Sequence, residues 1–165
     1  MRRVLPAIVL VVVLAVAALY FFAGRTAAGP EQPIAFSHKN HAETRQIDCL
    51  YCHSGADDGA VAGIPPLETC MGCHRTVGAN NPEVQKLRQY WDRQEQVQWA
   101  KVTLLPDHVT FAHKPHVAAG VECLTCHAQG ASSDQWFQTF SPGMAWCLSC
   151  HSSRQASTDC WTCHK

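Results

Sequence analysis

The sequence has no stray cysteine, no excess of either charge and, past residue 23, no long hydrophobic run. Charged residues make up 16% of the 165, and 13 Lys and Arg balance 13 Asp and Glu. No basic patch is present to hold nucleic acid. Arg2 and Arg3 precede the apolar run, which leaves 11 basic against 13 acidic residues from position 25 onward. With that run and the cysteines set aside, the apolar fraction falls to about a third, poor for a domain of this size. Side chains alone will not fill the interior.

What is there explains the deficit. Ten cysteines occur, and every one belongs to a CxxCH: Cys49, Cys52 and His53; Cys70, Cys73 and His74; Cys123, Cys126 and His127; Cys147, Cys150 and His151; Cys160, Cys163 and His164. This is the attachment signature of c-type haem. Each thiol forms a thioether to one haem vinyl group, and the adjacent histidine reaches the iron. Disulfide frameworks and zinc ribbons also pair cysteines, but neither requires a histidine after the second cysteine five times in five. Five covalent haems follow, each a large apolar body for the chain to wrap.

The histidines also count out. Ten less the five in the motifs leaves His38, His41, His108, His113 and His116. A haem iron with one protein histidine has a sixth position, and a second strong-field ligand there makes it low-spin and suited to electron transfer. Four spare histidines lie in a repeated phrase, FSHKNH at 36–41 and FAHKPH at 111–116, with a CxxCH opening 13 and 12 residues after each phenylalanine. Residues i and i+3 share a helix face without having to meet one iron. Each pair is expected to serve two different haems.

The period is internal. Module one runs over 36–74 and module two over 111–151, with corresponding landmarks offset by 75, 74 and 77 residues; a fifth site at 160–164 closes the chain. Such self-similarity reads as duplication. Between the modules, Asn81 and Pro82 open a helix with Val84, Leu87, Tyr90 and Trp91 as its apolar stripe. Residues 102–106 read as extended. Ala23 to Pro33 is a small-residue linker, and residues 4–23, apolar in 19 of 20 positions, are long enough to span a hydrocarbon core of about 30 Å as a helix. With no A-x-A cleavage site after it, the run reads as an uncleaved anchor, residues 1–24. Arg2 and Arg3 set its amino end in the cytoplasm and leave 25–165 outside the cytoplasmic membrane. The expected fold is a small multihaem cytochrome c, with a few short helices and mostly irregular backbone wrapped on five haems, plus one N-terminal transmembrane helix.

Electron transfer is the function these counts favour. A multihaem reductase enzyme needs an iron with an open distal side and acid-base groups nearby, and here the spare ligands fill all five irons. A free-standing anchored quinol dehydrogenase feeding a periplasmic reductase needs a quinol site that no residue marks. No catalytic residue is assigned.

The phrase F-x-H-K-x-H before CxxCH resembles the cytochrome c3/c7 type of multihaem cytochrome. The whole order is similar, over essentially the full length, to the pentahaem cytochrome c subunit of bacterial alternative complex III: CLYCH, IPPLETCMGCH, QVQWAKV, LPDHVTFAHKPHV, GMAWCLSCH and a last CWTCH. The resemblance implies a menaquinol-oxidising respiratory or photosynthetic membrane complex, with an iron-sulfur subunit, polytopic quinol-binding subunits and a monohaem cytochrome c as partners. It also bears on the fifth distal ligand. Counting points to His108; the resemblance implies Met144, just before the fourth motif, as the partner of a His/Met haem. Methionine ligation raises a haem's potential, and a relay with one more oxidising centre is the reason Met144 is put ahead of His108.

Overall fold

The computed structural model describes residues 4–23, 30–103, 105–135 and 142–164, and in the first of these the side chains of 9–20 only. Arg2, Arg3, Leu104 and most of the linker lie outside the described residues. Helix α1 spans Val4–Ala23. The expected transmembrane helix is corrected here: among the described residues, no helix is long and apolar enough to cross a membrane.

From residue 30 the described chain is a small helical body built from helices of one to three turns. A π-helical turn, Lys39–Thr44, begins inside the first histidine phrase. Then come α2 (Cys49–Cys52), α3 (Gly55–Asp58), α4 (Leu67–His74), α5 (Pro82–Asp92), α6 (His113–Ala118), α7 (Cys123–Cys126), α8 (Met144–Ser153) and α9 (Cys160–Cys163). Every attachment motif is helical, as its spacing requires. One turn sets cysteines i and i+3 on one face, and the histidine after them closes it. His53, His127 and His164 return their backbone N–H to Cys49, Cys123 and Cys160 at 2.8, 2.9 and 2.9 Å. Asp48 caps α2 by accepting from Leu50 N–H at 2.7 Å.

Helix α5 starts where the sequence puts it. The Asn81 side chain accepts from Glu83 N–H at 2.8 Å and Pro82 takes the first turn. Its stripe buries Val84 and Leu87. Leu87 joins Ile34, Leu67 and Met71 in a small core, with Cys70, Tyr90, Trp91, Val97 and Trp99 packed around it. Arg88 ties α5 to the end of α4: its guanidinium donates to the His74 carbonyl at 3.0 and 2.7 Å and to the Arg75 carbonyl at 2.8 Å. Between the two helices Gly78 turns with φ +72, where a Cβ would press the Val84 methyl at 3.2 Å. Beyond Val84, Ala56 and the four core residues, no apolar side chain among the described residues is buried. That is too little to hold such a chain by itself.

Candidate haem-binding sites

Each of the five motif histidines has one spare histidine facing it. The ring centroids of His38 and His53 are 6.4 Å apart, those of His41 and His74 6.0 Å, His113 and His127 6.4 Å, His116 and His151 6.0 Å, and His108 and His164 5.6 Å. We number these sites 1 to 5 by the order of their CxxCH motifs. Two imidazoles on opposite sides of one metal, each bonded through nitrogen at about 2 Å, hold their ring centres about 6 Å apart. The pairs fit an iron between them.

Ring protonation supports the same use. A carbonyl oxygen only accepts, so a ring nitrogen bonded to one carries the proton, and the other nitrogen keeps its lone pair for metal. Nδ1–H donates to carbonyls from His41 (Ser37, 2.8 Å), His53 (Gly63, 2.6 Å), His74 (Val77, 3.1 Å), His113 (Ala60, 2.9 Å), His116 (Ala112, 2.7 Å), His151 (Ser157, 2.6 Å) and His164 (His108, 3.1 Å). Nε2 is therefore the free donor on each of those rings. His38 is held neutral in another way: burial, then the neighbouring His53 and His41, push its pKa down to about 4. Burial, with His113 and His53 beside it, also lowers that of His127.

Phe36 and Phe111 order the phrases. The Phe36 ring centre stands 4.8 Å from that of His38 and 4.4 Å from that of His41; Phe111 stands 4.9 and 4.6 Å from His113 and His116. One phenylalanine thus braces two histidines that face two different motif histidines. Sequence reasoning assigned it nothing, although its recurrence in both phrases was the available signal. The carbonyl acceptors were invisible to sequence, because a backbone oxygen has no residue type.

No disulfide joins the cysteines, and none is more than partly buried. Burial raises the pKa of Cys49, Cys52, Cys70, Cys126 and Cys147. No three His, Cys, Asp or Glu side chains converge on a metal-sized point among the described residues, so the CxxCH groups are not arranged as closed zinc sites. Cysteines in pairs with one histidine facing each motif histidine form a donor set for c-type haem. When bound, haem supplies an iron that changes between two oxidation states. The chain's own part would be to fix the ring by two sulfurs and present facing imidazoles, seven of the ten with the Nδ1 proton on a backbone oxygen. Met144 opens α8 and is 62% exposed, whereas the His108 ring lies nearly parallel to that of His164, at 15°.

Two family matches agree with these sites. Residues 113–156 match the doubled CXXCH motif family, and residues 22–98 match the class III cytochrome C family. The chain belongs to the class III multihaem cytochromes c, proteins that transfer electrons. Within that class it is similar to the multihaem cytochrome c subunit of the menaquinone reductase of Nitratidesulfovibrio vulgaris (strain Hildenborough). The two are 30% identical over 162 residues, covering 82% of this chain and 77% of that subunit.

Proposed function

We propose that this chain is the electron-relay subunit of a membrane quinone oxidoreductase complex and carries five bis-histidine haems c. The observation that carries the reading is the set of five histidine pairs at 5.6–6.4 Å, one for each attachment motif. In this reading Cys49/Cys52, Cys70/Cys73, Cys123/Cys126, Cys147/Cys150 and Cys160/Cys163 attach the haems. His53, His74, His127, His151 and His164 are the proximal ligands; His38, His41, His113, His116 and His108 are the distal ones. This departs from the preference for Met144 drawn from sequence, because the His108 ring faces that of a motif histidine, His164. Six-coordinate irons leave no open face for a substrate, so the chain acts as a conduit and the quinone chemistry belongs to partner subunits. Those partners are an iron-sulfur subunit, polytopic quinone-binding subunits and a monohaem cytochrome c, with the haem-bearing part on the extracytoplasmic side where such haems are attached.

Direction is open to two readings. Resemblance to alternative complex III implies electrons arriving from menaquinol; the relative's name, menaquinone reductase, implies electrons delivered to menaquinone. The relative favours delivery toward the quinone. Two measurements test the proposal. Ferrous protein carrying five haems should not bind carbon monoxide rapidly, and fast binding to any haem overturns the bis-histidine reading. The assembly recovered with the chain in mild detergent should reduce a menaquinone analogue from a reduced cytochrome donor faster than it oxidises the quinol. The reverse bias assigns it to the quinol-oxidising side.

A further inference from the structure

Positions of the attachment sites in space differ from their order in sequence. Sites 1 and 2 adjoin: Phe36 braces one ligand of each, and a Cβ added at Gly72 of α4 would lie 4.0 Å from the Tyr51 hydroxyl of α2. Sites 3 and 4 adjoin in the same way through Phe111. What joins the modules is site 1 to site 3. The loop after α3 offers the Ala60 carbonyl to both the backbone N–H (3.2 Å) and the ring Nδ1–H of His113 (2.9 Å), and the Gly59 carbonyl to Lys114 N–H at 3.0 Å. α6 therefore packs on α3, beside the site 1 motif. Gly55 makes this possible, since a Cβ there would meet the Val61 carbonyl oxygen at 2.5 Å. The Cys49 and Cys123 thiols lie close enough for each to bear on the other's ionisation. At the far end, Thr110 N–H donates to the Cys163 carbonyl at 2.7 Å, and the Cys147 thiol of site 4 neighbours the Cys163 thiol of site 5.

We infer that the five haem sites adjoin in the spatial order 2–1–3–4–5, so that the two modules meet through sites 1 and 3 and the relay has sites 2 and 5 as its ends. The inference rests on the ligand reading above and adds the path. One electron moves in each transfer, one site losing it and the adjoining site gaining it.

The order is tested in the full chain carrying five haems, by potentiometric titration with each haem followed by NMR and EPR. His38→Met raises the potential of site 1, so site 1 is already reduced, and less positive, while its neighbours titrate. Coulombic interaction then lowers the potentials of sites 2 and 3 most, with sites 4 and 5 moving least. His116→Met should lower sites 3 and 5 most and leave site 2 nearly still. If site 4 or 5 responds to His38→Met more than site 3 does, the order is overturned. If neither substitution turns a bis-histidine haem into a His/Met haem, the ligand reading fails and takes the order with it. A variant that attaches fewer than five haems is replaced by its counterpart, His113→Met for site 3, whose neighbours must be 1 and 4.

Discussion

Modules one and two share a phrase, a motif and even their ring spacings, 6.4 and 6.0 Å in each, yet they are supported differently. Module one rests on an apolar core: Ile34, Leu67, Met71 and Leu87 pack together because α5 follows it and returns across α4. Module two has no such helix. Its described residues contribute no buried large apolar side chain, and Leu124 and Trp146 are 49% and 41% exposed. It is attached instead by backbone hydrogen bonds, from His113 and Lys114 to the loop after α3 and from Lys39 to Ser133. The lesson is that ligand geometry in this chain is local. A phenylalanine, two histidines and one helical turn reproduce it whether or not a core lies beneath, and haem supplies the apolar volume where side chains do not.

The strongest way to break the comparison is to remove haem from one module at a time. Cys123→Ala with Cys126→Ala should abolish hydrogen-exchange protection across 111–151, because the site 3 haem is the interior there. The equivalent change at Cys70 and Cys73 should leave α5 protected by its core. Equal losses in the two variants would remove the distinction. Next in size is Leu87→Ala, which should cost about 2–5 kcal/mol in denaturant unfolding, as buried Leu truncations do. Leu124→Ala in module two should cost within about 0.5 kcal/mol, the range for exposed positions. Arg88→Ala should cost less than Leu87→Ala, about 1–3 kcal/mol, from the unpaired carbonyls of His74 and Arg75; it should lower the unfolding midpoint without changing the haem count.

The smallest effect is on pH dependence. His38 titrates near 4 in the native chain against 6.5 when unfolded, so between those values the unfolded chain binds more protons. Its contribution to stability is full above about pH 6.5 and is lost as pH falls toward 4. Iron ligation acts in the same direction, since it also requires the neutral ring. His38→Gln should flatten the acid limb of stability in that window, followed by the Soret band and by urea midpoint; an unchanged slope would show that His38 does not control it. The effect is modest because the ring is only part-buried.

Much of this was legible in advance. CxxCH placed all five attachment turns, the repeat placed both histidine phrases, and Asn81-Pro82 placed α5 to the residue. The membrane-spanning reading of 4–23 rested on hydropathy alone, and among the described residues no helix is long and apolar enough to cross a membrane. Met144 against His108 was not decidable by counting, because one spare histidine and one spare methionine were left for one remaining iron. His108 lies 56 positions from His164, and no local pattern announces a contact across that distance.

The sequence by itself determined the class of cofactor, through CxxCH motifs that c-type haem requires at that short spacing, and it carries five such motifs with five further histidines. Only the tertiary structure decided which spare histidine faces which motif histidine and which elements lie side by side. Those relations depend on the carbonyls of Gly59, Ala60 and Gly63, on the turn Gly55 permits and on α6 meeting α3. They are backbone contacts between residues far apart in the chain, and a backbone oxygen carries no signature in the order of side chains.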